Sequence, residues 1–465
     1  MGRYTLDASR RAFLQRASGL SLAGAAAPWA LNLAALGEAA AQGATDYKAL
    51  VCVFLYGGND HANTLVPCDA VHHEQYRLLR PALAHSRAAL GATVLQTLQP
   101  VLDRHAVPRQ YALAPDLFPL MPHWQAGRLA TLLNVGTLVQ PTTKEQYRAR
   151  SVPLPPKLFS HNDQQSVWQA SAAEGATTGW GGRMGDLFES GNGRSTFTCV
   201  NVSGNAVFMS GQRAVQYQVT PGGSVPLNGV RGPLYGSAAA SQALRALVTA
   251  QPAHLIQAEL GRTVARALVA HETLTAALAG APALATSFPA GNPLADQLRM
   301  VARMIGSAGA LGARRQVFFV SLGGFDNHDA LMTTHPQLLG RLATALAAFQ
   351  EALAELRVAD RVTTFTASEF GRTLTGNNDG SDHGWGSVQF VLGDAVAGGR
   401  HYGIAPVIAH DGPDDVGQGR LVPTMAVDQV AATLGSWFGL SAGQLLDVLP
   451  SLRNFDAATR QLAVV

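Results

Sequence analysis

The chain has 465 residues, with 34 Lys and Arg against 31 Asp and Glu and a formal net charge of +3. That balance gives no electrostatic footprint for nucleic acid or for an anionic membrane surface. A hydrophobic content of 47% is that of a globular protein with a full core. Cys52, Cys68 and Cys199 form no CxxC and no disulfide framework, although a single Cys52–Cys68 or Cys68–Cys199 bridge stays open.

The N-terminus reads as an export signal over residues 1–41. Arg10 and Arg11 form a twin-arginine pair, an Ala/Leu-rich run follows from Gly19 to Leu36, and Ala39-Ala40-Ala41 offers a cleavage site. Twin arginines imply the Tat export machinery as a partner, a periplasmic or secreted destination, and membrane contact during export alone. Removing this segment takes away four basic and two acidic residues and brings the net charge from +3 to +1. About 420 residues, 45–465, then remain, enough for one large α/β domain or two ordinary ones.

Ala49 to Tyr56 is an unbroken apolar run, which predicts a strand buried on both faces. Gly57-Gly58-Asn59-Asp60 turns the chain at its end, where Asp60 either ligates a hard cation or bonds its own backbone in an Asx turn. Pro67 to Leu129 reads as helical in pieces, Arg128 to Gly136 as a second strand, and Lys144 to Pro156 as a loop. Ser160 sits at or near a helix N-cap ahead of His161-Asn162-Asp163. The positive end of a helix attracts anions, so Ser160 is either a nucleophile or an ordinary cap. Residues 241–311 are Ala/Leu-rich and read as packing helix, broken near Pro252.

Arg315 to Leu322 predicts a central strand ending in Gly323-Gly324-Phe325-Asp326-Asn327-His328. Asp326 and His328 flank one residue, so extended backbone points both the same way, a pairing suited to Zn²⁺, Mn²⁺ or Fe²⁺. A helix from Pro336 to Arg357 leads to the strand Val362 to Thr366, which ends in Ser368-Glu369-Phe370-Gly371-Arg372. Open α/β sheets place their sites at strand carboxyl ends. A Gly/Asn-rich stretch then carries Asp382 and His383 in loop composition, followed by a strand over Val388 to Leu392, a hairpin around Gly398 to Gly403, and a helix over Val427 to Phe438. No GxSxG elbow, P-loop or dinucleotide fingerprint is present. Carboxylates gathered from three strand ends repel one another unless a cation or protons intervene.

Taken in order, FLYGGNDHANTLVP, ALAPDLFPL, SHNDQQSVW, GGFDNH, SEFGRT and DHGWGS resemble the DUF1501 family of exported bacterial proteins, itself similar to the alkaline phosphatase and sulfatase superfamily. The resemblance implies a central, mostly parallel sheet sandwiched by helices, an alkaline phosphatase-like α/β fold. It implies a divalent metal (Zn, Mn, Mg or Ca) held by Asp60, Asp326, His328, Glu369 and His383. Ser160 stands as the nucleophile with Thr64 in reserve, and Arg372 as the group that holds an ester oxygen. The expected activity is hydrolysis of phosphate or sulfate esters of a small molecule or glycan. The alternative is a non-catalytic exported binding protein on the same scaffold.

Overall fold

Ten short strands frame the site: β1 (Lys48–Tyr56), β2 (Leu129–Gly136), β3 (Cys199–Asn201), β4 (Tyr217–Thr220), β5 (Arg315–Gly323), β6 (Val362–Ala367), β7 (Arg372–Gly376), β8 (Ser381–His383), β9 (Ser387–Leu392) and β10 (Arg400–Tyr402). The computed structural model describes residues 47–465, so the stretch read as an export signal, residues 1–41, lies outside it. The main sheet runs β10-β2-β9-β6-β1-β5-β3-β4, while β7 and β8 form a separate hairpin. β1 pairs in parallel with β5 and β6, and β5 with β3. β9 is antiparallel to both β6 and β2. The sheet is therefore mixed and mostly parallel.

β1 is buried everywhere but at its two ends. Because side chains alternate across a strand, it feeds two cores. Val51, Val53 and Leu55 pack with Leu298 of α4 (Pro293–Gly306) and Leu342, Leu346 and Phe349 of α5 (Leu331–Glu355). Leu50, Cys52 and Phe54 pack with Trp180 of α3 (Trp180–Phe188) and Leu434 of α6 (Val427–Phe438). Helices thus cover both faces, as an unbroken apolar strand requires. Two further helices complete the frame around the site, α1 (Ala70–Leu79) and α2 (His161–Ala170). The three cysteines are buried and free. No helix among the described residues is long and apolar enough to cross a membrane.

Three local expectations give way. Lys144–Ala149 is a helix, because Thr143 and Gln146 make a reciprocal capping box that outweighs the neighbouring prolines. α5 begins at Leu331, ahead of Pro336, and the ring of His335 anchors that turn on Asn59 Oδ1 at 3.0 Å. The glycine-rich segment near Gly398 makes no hairpin, since β10 pairs in parallel with β2. The helical reading of 241–311 becomes Ala238–Val248, Leu255–Gly280, Pro293–Gly306 and Ala308–Leu311.

Asp428 lies buried in the first turn of α6. Burial pushes its carboxyl up to about 6 against the Ser171 hydroxyl 3.0 Å away and the charge of Arg183. An acid raised in this way favours the folded state only while protonated. That contribution is complete below the unfolded value of about 3.9 and is lost as pH rises through the folded value. Asp428→Asn is therefore expected to raise Tm at pH 8 and to leave it nearly unchanged at pH 4, which calorimetry at the two pH values checks.

Candidate metal centre

β1, β5 and β6 run parallel in register, Tyr56 beside Gly323 and Phe54 beside Ala367, so the loops that follow them emerge together. Gly57 ties these loops. Its N–H donates to Glu369 Oε1 at 2.9 Å, and its carbonyl accepts from Arg372 Nη1 at 3.2 Å. It has φ +118°, and a Cβ there would stand 2.3 Å from the Asp326 backbone nitrogen, so only glycine fits.

Asp326 is the hub. One of its oxygens, Oδ1, accepts from Arg372 Nη1 at 2.7 Å and lies 3.1 Å from His383 Nε2 and 3.1 Å from His328 Nε2. The other, Oδ2, lies 3.3 Å from His161 Nε2. Partial burial raises the Asp326 carboxyl, but the Arg372 hydrogen bond and the surrounding positive charge hold it below its ordinary value.

Each histidine is anchored through Nδ1. His161 Nδ1 meets Glu369 Oε1 at 2.9 Å, His383 Nδ1 meets the Phe159 carbonyl at 2.7 Å, and His328 Nδ1 meets Asp382 Oδ1 at 3.2 Å. All three partners accept, so each Nδ1 carries a hydrogen and Nε2 is the nitrogen left to offer a lone pair to a metal. These Nε2 atoms all turn toward Asp326, and His328 Nε2 and His383 Nε2 are 3.0 Å apart. Phe159 adopts φ 72° to aim its carbonyl, a costly conformation for a bulky residue.

Lone pairs converging on a carboxylate repel unless a cation lies among them. Nε2 of His161 is buried without any hydrogen-bond partner. One ligand atom each from His161, Asp326 and His383 lies within 4.8 Å of the others. These residues fit a divalent metal with imidazole and carboxylate ligands, and His328 Nε2 stands beside them as a fourth donor. Imidazole nitrogens suit Zn²⁺, Mn²⁺ or Fe²⁺ better than Mg²⁺ or Ca²⁺, which take oxygen.

Four sequence assignments change. Asp60 is buried and forms a two-pronged pair with Arg80, Nη1 to Oδ1 at 2.7 Å and Nη2 to Oδ2, while its Oδ1 also caps Ala62 and Asn63. Burial raises its carboxyl, yet the Arg80 charge and hydrogen bonds hold it far below the usual range. It is spent on structure and leaves the ligand set. Glu369 sits behind the site, where Oε1 accepts from Gly57, His161 and Gln165 while Oε2 is buried without a partner, so through Oε1 it orients His161. Arg372 is fully buried, with four of its five N–H donors engaged by Asp326, Gly57 and Ser381, and burial keeps it from an ester. Thr64 is buried, its hydroxyl given to the Asp60 carbonyl at 2.7 Å.

Ser160 is the N-cap of α2 but makes no capping bond. Its hydroxyl donates to Asp163 Oδ2 at 2.8 Å. The residues flanking it, Phe159 and His161, both touch the cluster. His383 lies on β8, a hairpin strand where loop composition had been read. Two residues escaped the sequence reading. His161 could have been found from its place directly after the N-cap. Arg420 carries no local motif; its Nε donates to the His383 carbonyl at 2.9 Å and its guanidinium lies 4.8 Å over the Phe159 ring.

Metal binding should depend on the shell behind the ligands. Glu369→Gln is expected to lower Zn²⁺ affinity by about 10–100-fold, and His161→Ala by more, with smaller effects on the metal-free Tm. Hydrogen bonding to Glu369 raises His161 above its ordinary value, so a proton competes for its ring even near neutral pH. Affinity should fall as pH is lowered through that range, which competition titration with a chelating dye checks. By contrast, Arg80→Ala leaves Asp60 buried without its cation and should cost about 3–5 kcal/mol of stability, read from urea unfolding, with metal affinity per folded molecule retained.

Among solved structures, Ps i-CgsB, crystallised in complex with k-i-k-neocarrahexaose, is similar at 10% identity and TM-score 0.35, covering 89% of this chain and 77% of that one. The PsFucS1 sulfatase from Pseudoalteromonas sp. shares 8% identity at TM-score 0.33, over 92% and 74%. The lipoteichoic acid synthase LtaP from Listeria monocytogenes shares 8% at TM-score 0.31, over 86% and 74%. No curated protein matches the chain. The profile described as "Protein of unknown function (DUF1501)" matches residues 47–449, and the chain belongs to the DUF1501 family.

Proposed function

We propose that this protein is an exported, metal-dependent hydrolase of phosphate or sulfate esters. The observation that carries the reading is the set of three histidines, each fixed through Nδ1, whose Nε2 atoms converge on the half-exposed carboxylate of Asp326. A purely structural zinc site closes its ligand shell, whereas a catalytic one keeps an open position. Here the side chains of Asp326 and His328 are 45% and 46% exposed, so solvent and an ester reach the site.

His161, Asp326, His383 and His328 would hold the metal. When bound, such an ion polarises a phosphoryl or sulfuryl oxygen and offsets charge in the transition state. Ser160 is the nucleophile. Its hydroxyl proton passes to Asp163 as Oγ bonds to phosphorus or sulfur, and the ester C–O oxygen leaves as an alcohol after taking a proton from solvent. Water then releases the inorganic anion from Ser160. Arg420, half-buried with Nε fixed on His383, takes the oxygen-holding part that the sequence reading gave to Arg372. The motif resemblance supports ester chemistry, and the twin arginines support export.

Steady-state assays with p-nitrophenyl phosphate, bis-p-nitrophenyl phosphate and p-nitrophenyl sulfate, with Zn²⁺, Mn²⁺ or Fe²⁺ added, test this. Hydrolysis of at least one ester is expected, abolished by chelator and by Ser160→Ala. Arg420→Ala should reduce kcat/KM by about 10²-fold or more while leaving metal content unchanged. A metal-loaded protein inert toward all three esters would favour the binding-protein alternative.

A further inference from the structure

A cleft of about 860 Å³ lies away from the histidine cluster, lined along one side by Gly398 to Tyr402 and floored by Met121 and Trp124. It sits where β2 begins, whereas the metal centre lies where β1, β5 and β6 end. Because β9 is antiparallel to both β2 and β6, these are opposite ends of the sheet. A pocket of about 350 Å³ continues the cleft and shares Gln96, Thr97, Pro100 and His401 with it. Each part of this trench lies within the size range of small-ligand sites, roughly 300–1,000 Å³.

Polar groups in this trench lack partners. Arg109 gives Nη2 to Asp103 at 2.6 Å, but its Nε and Nη1 are buried without any hydrogen bond. Asp69 lines the same pocket, and its Oδ2 is also buried and unpartnered, while Oδ1 holds His72. Native proteins seldom leave such atoms unsatisfied, and here a donor and an acceptor of opposite charge line one space. Asp69 and Asp103 balance Arg109 and Arg400. His401, at the junction, is pushed down to about 4 by burial and stays neutral. Net charge to attract an ion is therefore absent, whereas Gln96, Thr97 and Gln99 offer amides and a hydroxyl.

We propose that this trench binds a neutral oligosaccharide, with neighbouring sugar hydroxyls bridging the Arg109 guanidinium and the Asp69 carboxylate. A hydroxyl donates and accepts at once, which matches that pair; an anion would face Asp69 and a cation Arg109. The proposal does not rest on the metal-centre reading.

Isothermal titration of the full chain with maltohexaose, cellohexaose, chitohexaose and a sulfated hexasaccharide is the test. At least one neutral sugar should bind with Kd below about 1 mM, equally well with and without chelator. Gln96→Ala combined with Gln99→Ala, both at exposed positions, should weaken binding roughly tenfold. Arg109→Gln should do the same, and the double glutamine variant keeps the test valid if Arg109→Gln does not fold. The proposal is overturned if no neutral sugar binds, which would mean that water alone fills the trench. Tighter binding of the sulfated sugar, or binding unchanged in the variants, would overturn it too.

Discussion

The peptide of Gly57 holds the site together. On one side its N–H fixes the buried carboxylate of Glu369; on the other its carbonyl fixes Arg372. Glu369 in turn orients His161, and Arg372 orients Asp326. Hydrogen bonds to charged groups in a dry setting are worth more than neutral ones, and leaving any of these groups unpaired would cost the full desolvation penalty. One backbone unit at the end of the central strand thereby sets the placement of two metal-facing side chains from different loops. The absence of a Cβ at residue 57 is what lets the β5 loop come close enough.

That arrangement divides labour between buried and exposed charge. Asp60 is paired with Arg80 in the interior, and Glu369 and Arg372 are buried on either side of the Gly57 backbone. Asp326, His328 and His383 stand at the rim with atoms to spare. A buried ion pair contributes little net stability but is expensive to break, so the Asp60–Arg80 pair acts as a rigid floor. Sites built on such a floor hold ligand geometry better than sites on free loops.

Much of this was legible in the sequence. The apolar run of β1 and the motifs GGFDNH and SEFGRT located the sheet and the end at which side chains gather, and Asp326, His328 and His383 are brought together there. What could not be read was which carboxylates already had partners. Arg80, which takes Asp60, lies 20 residues away in a Pro- and His-rich stretch with no marked pattern. Glu369 and Asp326 look alike as strand-end acids, and only burial separates the group behind the ligand from the ligand. The same holds for Arg372 and Arg420: a motif flagged the first, but packing buries it completely and leaves the second half-buried with donors to spare. His161 was masked by its neighbour, because a Ser before a polar helix start reads first as a cap.

The most direct measurement is anomalous X-ray scattering from a crystal grown with Zn²⁺. The account predicts one ion bonded to Nε2 of His161 and His383 and to an Asp326 oxygen at about 2.0–2.2 Å, with Glu369 one step behind on His161 and Asp60 still paired with Arg80. An ion ligated directly by Asp60 or Glu369, or no ion at the three histidines while zinc binds elsewhere, would contradict it.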